Sequence, residues 1–250
     1  MSDWLFIAGV IAVESVLQAD SREMHAVYST LDRFDSRMAR LNRLTRERGV
    51  PIESRDEAEL AALLESTSHG RIVAHGGIVA QVGPRRLQSL DELAGGESPV
   101  VVMLDGVEDP FNFGQAVRSL YAAGIDGLVV RRRNWLTAGA AVRASAGATE
   151  FMPTAEAESP EAAAEALRGR GLRVAVATED GQAMGEVDLT GPLLLVIGGE
   201  KRGVTRSFQR AADVRVRVPY GRPFAHALGT TSAATALAFE VMRQRGLFRP

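Results

Sequence analysis

The 250-residue chain has no cysteine, and of its 29 basic residues only Lys201 is lysine. Without thiols there is no disulfide framework, no thiolate zinc site and no thiolate nucleophile, so any chemistry must come from oxygen, nitrogen or a borrowed cofactor. The near-absence of lysine leaves 28 arginines. That bias suits bidentate phosphate binding, but a GC-rich genome produces it equally well. The genomic reading is preferred, because a net charge of -2 and a pI near 6.1 are not those of a strongly basic nucleic-acid binder. Long apolar runs are missing too. Leu5 to Val13 is flanked by Asp3 and Glu14, has no basic segment before it, and is far short of the roughly 20 residues that span a bilayer. It reads as a buried strand or a helix start, and the protein is expected in the cytoplasm, away from membranes. His25, His69, His75 and His226 lack metal-ligand spacing, so no metal is expected.

What is present is ample core material, 46% hydrophobic residues, in an α/β alternation on two scales. Residues 1–94 predict a small α/β domain: helices at Val10–Ala19, Ser36–Arg48 and Glu57–Glu65, and strands at Met24–Tyr28, Val50–Ile52, Ile72–Ala74 and Ile78–Ala80. On the second helix Leu41 and Leu44 face inward, while Arg37, Arg40, Arg43 and Arg46 form a stripe best read as a solvated face. Pro84 to Pro99 holds the breakers of a candidate linker. Residues 95–250 predict a larger domain with buried strands at Val100–Leu104, Leu128–Val130, Arg173–Ala177, Leu193–Ile197 and Val214–Val218. Helical stretches separate them, including one from about Phe113 to Ala123 and one from Glu156 to Ala166. The pattern is that of a parallel sheet covered by helices.

In such sheets ligands bind beyond the carboxyl ends of the strands, and three loops there carry candidate chemistry. The first runs from Asp105 through Asp109-Pro110-Phe111-Asn112-Phe113-Gly114 into the helix bearing Arg118, with Asn112 suited to cap that helix. The second, Gly198-Gly199-Glu200-Lys201-Arg202-Gly203, places glycines between a strand and a helix, where backbone N–H groups can face a ligand. It is neither a dinucleotide fingerprint nor a phosphate-binding P-loop. The third runs from Val218-Pro219-Tyr220 to His226-Ala227-Leu228-Gly229 and opens a helix rich in small residues, for which Thr230 or Thr231 is the natural cap.

In this order and at these separations the loops resemble the three motifs of the SpoU/TrmH family of RNA ribose 2'-O-methyltransferases. Asp109-Pro110-Phe111-Asn112-Phe113-Gly114 followed by Arg118 is similar to the first motif. Gly198-Gly199-Glu200 with Gly203 is similar to the second, and Val218-Pro219 through the alanine-rich helix to the third. Ala144-Ser145-Ala146-Gly147-Ala148 matches a stretch common between the first two motifs, and the amino-terminal part, with Ser68-His69-Gly70, resembles the family's substrate-binding module. The resemblance implies a SPOUT-type knotted sheet, S-adenosylmethionine as cofactor, a homodimer, and rRNA or tRNA as substrate. It further implies that Arg118 touches the acceptor's phosphate or hydroxyl, that Asn112 fixes its loop and that Glu200 positions one of them. Backbone groups around Gly198, Gly199, Val218 and Leu228 would hold the cofactor, with Thr178 near its adenine. An arginine is not readily deprotonated, so orienting the nucleophile and routing its proton through phosphate is preferred to direct base catalysis. The third motif departs from the family's usual Ser-Leu-Asn: here it is Ala227-Leu228-Gly229, with one extra residue after Pro219, and Lys201 replaces a glycine. Thr230, Thr231 or His226 would have to compensate. The same losses leave open a degenerate member that binds RNA or cofactor without turnover.

Overall fold

The apolar stretch near the amino terminus divides at Gly9, whose φ of +97° lets the chain turn from strand into helix. A computed structural model describes residues 4–31, 35–68, 75–132, 134–136 and 139–247, with the backbone alone at 36–37 and 66–68. The amino-terminal elements are β1 (Leu5–Ala8), α1 (Val10–Ala19), β2 (Met24–Ser29), α2 (Ser36–Arg48), β3 (Ile52–Ser54), α3 (Glu57–Ser68) and β4 (Ile78–Val82). There follow α4 (Leu90–Leu93), β5 (Val100–Asp105), α5 (Pro110–Ala122), β6 (Gly127–Arg131), α6 (Gly139–Ala144), α7 (Ala148–Phe151), β7 (Thr154–Ala157) and α8 (Pro160–Arg168). The chain ends with β8 (Arg173–Ala183), β9 (Leu193–Gly198), α9 (Arg206–Ala211), β10 (Val214–Arg217) and α10 (Thr230–Gln244). No helix among the described residues is long and apolar enough to cross a membrane.

These elements form two compact units, residues 1–86 with 135–151, and residues 87–134 with 152–250. Residues 87–94 group with the second unit, and the segment around Ser145-Ala146-Gly147 groups with the first. Packing explains that allegiance. Gly147, at φ +84°, lies so close to α1 that a Cβ there would sit 1.9 Å from Ser15 Oγ.

In the first unit a sheet of order β1-β4-β2-β3 carries helices on both faces. Strand alternation sorts its side chains: Ile7, Val27, Ile78 and Ala80 pack with Leu41 and Leu44 of α2, while Ala8 and Val79 pack with Leu60 and Leu64 of α3. Beside this sheet lies a sealed polar cluster. Arg22 and Glu150 are fully buried side chains; Arg22 Nε and Nη2 donate to the two Glu150 oxygens at 3.0 and 2.9 Å. Ser21 Oγ donates to Glu150 at 2.5 Å, Arg22 Nη2 also donates to the Leu136 carbonyl, and Arg85 Nη2 donates to the Glu150 carbonyl at 3.1 Å. The arginine stripe on α2 is partly paired: Arg40 lies 3.5 Å from Glu14 and Arg43 3.9 Å from Glu47. His69, Gly70 and the expected strand Ile72–Ala74 fall outside the described residues, as does the side chain of Arg37.

The second unit is a six-stranded, wholly parallel sheet of order β10-β8-β9-β5-β6-β7. Val101, Met103, Val129, Val174, Leu194 and Val196 form its core with Ala163, Leu167 and Phe208 from the covering helices. The edge strand β7 stands where the alanine-glutamate composition had suggested only helix; α8 begins later, at Pro160, capped by Ser159. Asp213 fastens the opposite edge, accepting from the Val174 N–H at 2.8 Å and pairing with Arg168 at 3.0 Å. Between β8 and β10 the register jumps, from Arg215 opposite Val176 to Val216 opposite Gln182. Residues 177–181 consequently bulge out of the ladder.

Candidate active site

At the carboxyl ends of β8, β9 and β10 lies a cavity of about 940 Å³, lined by the 177–180 bulge, the 197–204 loop and much of 216–230. It brings together Thr178, Gly198, Gly199, Glu200, Val218 and Leu228, which lie far apart in sequence. The bulge delivers Thr178, whose Oγ1 is buried without a hydrogen-bond partner. Thr178 lines the cavity, and its buried hydroxyl has hydrogen-bonding capacity that no other group uses.

The glycine loop after β9 is shaped by contact with the loop after β5. Gly199 N–H donates to the Asp105 carbonyl at 2.6 Å, and a Cβ on Gly199 would lie 2.0 Å from the Gly106 oxygen. Gly198 is equally confined, its Cβ position 2.7 Å from Gly203 backbone. Any side chain at either place would have to displace main chain. Lys201, exposed, pairs with Glu108 across the same two loops.

Glu200 Oε1 accepts from Asn112 Nδ2 at 3.0 Å. Asn112 is free for this because it does not cap its helix. Asp109 does, its carboxylate accepting from the Asn112 N–H at 2.8 Å, and Pro110 occupies the first turn, so α5 starts three residues before the expected Phe113. The threonines at the start of α10 likewise do not cap it. Gly229 is the cap residue, without a side-chain bond. Thr230 Oγ1 instead donates to the Gly198 carbonyl at 3.0 Å and Thr231 Oγ1 to the Asn112 carbonyl at 3.0 Å. Together they tie the three loops to one another, and a Cβ at Gly229 would stand 3.3 Å from Glu200 Oε1.

Arg118 is exposed on α5 and does not line the cavity. Asn112 reaches it only through Glu200. Of the remaining arginines, Arg131 Nε donates to the buried Asp105 carboxylate at 2.5 Å, joining the ends of β6 and β5, Arg132 is exposed, and Arg133 lies outside the described residues. The histidines have unrelated settings: His25 packs on Trp4, His75 is buried 3.2 Å from Glu57, and His226 meets Phe224. No cluster of three or more His, Asp or Glu suited to a metal ion occurs among the described residues.

Tyr220 was not singled out from the sequence. Its hydroxyl accepts from the Leu228 N–H at 3.0 Å and donates to the His226 carbonyl at 3.3 Å, closing the third loop on itself. Tyrosine after a proline and before a glycine has no periodic signal; only the loop's folded path reveals the bond.

Residues 99–237 match the SpoU rRNA Methylase family, and residues 6–88 match the family described as RNA 2'-O ribose methyltransferase substrate binding. The chain is similar to the 23S rRNA (guanosine-2'-O-)-methyltransferase RlmB of Pseudomonas aeruginosa, 32% identical over 253 residues that cover 98% of each protein. The protein of the same description from Pseudomonas putida is 31% identical over 256 residues, covering 100% of both. Among solved structures, the SpoU methyltransferase AviRb from Streptomyces viridochromogenes, in complex with the cofactor AdoMet, superposes with a TM-score of 0.80 at 23% identity. That match covers 98% of this chain and 92% of that one.

Proposed function

The chain belongs to the SpoU rRNA Methylase family, and on that premise we propose that it transfers a methyl group from S-adenosylmethionine to a ribose 2'-hydroxyl of ribosomal RNA, with a guanosine of 23S rRNA as acceptor. Ribosomal RNA is preferred to tRNA because the full-length relatives are described by that substrate. The observation that carries the reading is the convergence of the second and third loops on one cavity, to whose lining residue Glu200 the first loop is tied through Asn112.

The residues present fit an adenosyl-type ligand. Thr178, whose buried Oγ1 has no partner, and the Gly198-Gly199 backbone line the cavity, and Leu228 and Val218 supply apolar contact. When bound, S-adenosylmethionine supplies a methyl group on a sulfonium that is already electrophilic. The protein's own work is orientation and proton removal. Glu200 and Asn112 hold the first two loops in register, and Arg118 donates to the acceptor's phosphate or hydroxyl. A guanidinium has no acceptor lone pair, so it orients the nucleophile while the proton leaves through phosphate.

This reading includes a homodimer, a knotted carboxyl-terminal chain and a cytoplasmic location. Support for the dimer comes from Phe111 and Tyr121 on α5 and Phe239 on α10, between 41% and 44% exposed on two helices that pack together. A second copy would cover them and complete the surroundings of Arg118.

The test is tritium transfer from labelled S-adenosylmethionine to bulk rRNA and tRNA, followed by mapping of 2'-O-methyl sites in cells with and without the gene. We expect label in rRNA and one site missing without the gene. Binding of S-adenosylhomocysteine without transfer to any RNA would overturn the reading.

A further inference from the structure

Beside the cofactor cavity, the loop after β10 presents residues that the transfer chemistry leaves unused. Positions 219–229 are all exposed, and three aromatic rings gather there. Tyr220 and Phe224 have centroids 6.2 Å apart, Phe224 and His226 5.5 Å, each pair edge to face. Phe224 is 62% exposed and Tyr220 40%. The loop is nevertheless built, because the Tyr220 hydroxyl pins both the Leu228 N–H and the His226 carbonyl. It also walls a second recess, about 510 Å³, lined by Pro219, Tyr220, Arg222, Phe224 and Leu228 among others. Tyr220, Arg222, Phe224 and Leu228 belong to both hollows, so whatever fills the recess lies against the cofactor cavity.

The charges nearby say what kind of occupant fits. Arg202, Arg206, Arg217 and Arg222 line the cofactor cavity, and none has a carboxylate partner among the described residues. Open π faces next to unpaired guanidinium groups suit a polyanion whose bases are unstacked, which is single-stranded RNA; duplex RNA offers no free base face. A second copy of this chain, with a net charge of -2, supplies no comparable array of phosphates.

We propose that residues 220–226 form a stacking platform for an unpaired nucleobase of the RNA substrate, with Phe224 as the principal ring, Tyr220 as its brace and Arg222 as a phosphate contact. The proposal rests on the methyltransferase reading and adds to it that the acceptor region is taken as single strand at this loop.

The test uses the full-length protein, saturated with S-adenosylhomocysteine, and a single-stranded RNA hexamer carrying 2-aminopurine. Stacking should quench the probe. Phe224→Ala should weaken hexamer binding by roughly tenfold, the scale of one lost base–aromatic stack. Phe224→Trp should restore it, Arg222→Gln should flatten the salt dependence, and the same strand in a duplex should not be quenched. Calorimetry on Phe224→Ala measures its S-adenosylhomocysteine affinity, so that the hexamer is compared at equal cofactor saturation. Equal quenching by parent and Phe224→Ala would overturn the proposal. So would parallel loss of S-adenosylhomocysteine binding in a folded variant, which would assign the ring to the cofactor. A shift from dimer to monomer in sedimentation would assign it to a self-interface, again overturning the platform. Methyl transfer to bulk rRNA separates the two readings: transfer without quenching sinks the platform alone, and quenching without transfer sinks the enzyme while leaving the platform.

Discussion

Arg22 in the first unit and Arg222 in the second are the same residue type in opposite circumstances. Arg22 is sealed, gives two bonds to Glu150 and one to a carbonyl, and has no contact with solvent. Arg222 lines a cavity and has no carboxylate within ion-pair distance among the described residues. A buried pair spends its charge on itself, and removing either partner strands the other in a medium that cannot solvate it. An exposed, unpaired guanidinium contributes almost nothing to folding and keeps its full charge for a ligand. The difference teaches where to look for function in a chain so rich in arginine: among those without carboxylate partners.

Removing Glu150 tests the sealed side hardest. Glu150→Ala should lower unfolding free energy by about 3–5 kcal/mol, because Arg22 is left uncompensated. A denaturant midpoint shifted by less than about 1 kcal/mol would mean that water reaches the cluster. Arg118→Ala tests the open side: stability should change by no more than about 0.5 kcal/mol, while kcat for rRNA methylation falls roughly a hundredfold or more. Calorimetry should find S-adenosylhomocysteine affinity nearly intact; losing both together would make Arg118 structural. Tyr220→Phe falls between the extremes. Its hydroxyl serves backbone groups that water can also serve, so the midpoint should barely move, but RNA affinity should drop by about threefold to tenfold as the loop loosens. The smallest effect belongs to Asp213. Partial burial pushes its carboxyl up, but the Val174 N–H and the Arg168 and Arg173 guanidiniums outweigh this and hold it below the usual carboxylate value. A depressed pKa gives stability that is present above the unfolded value, near 3.9, and lost as pH falls through the folded one. Asp213→Asn should therefore flatten the acid limb of the stability profile slightly, and an unchanged limb would show that the bonds do not persist in solution.

Much of the parallel sheet was legible in the sequence because buried strands such as Val100–Asp105 and Leu193–Gly198 read as continuous apolar runs. Helices α1 and α2 match their periodicity end to end. Strand β7 was not legible: Thr154–Ala157 is short, holds a glutamate, and merges into the alanine-rich sequence of the next helix. The motif loops were recognisable by residue type, yet their internal bonds were not. Asn112 is a good capping residue by propensity, but Asp109 followed by proline is a better one, and that competition released Asn112 to bind Glu200. Thr230 and Thr231 fit the cap position equally well, and their hydroxyls went instead to carbonyls 32 and 119 residues away. Propensity ranks local partners, and these side chains found distant ones.

The allegiance of residues 135–151 to the first unit also sets a timetable. Arg22 and Glu150 are separated by 128 residues. At about 5–20 residues per second, a ribosome needs roughly 6–26 s to travel between them. Once Val82 has been made, the nascent first unit has its sheet and three helices but carries an arginine whose acid has not yet been made. The unit cannot close until β5, α5 and β6 of the second have been synthesised, so neither half of this protein is finished before the other has begun.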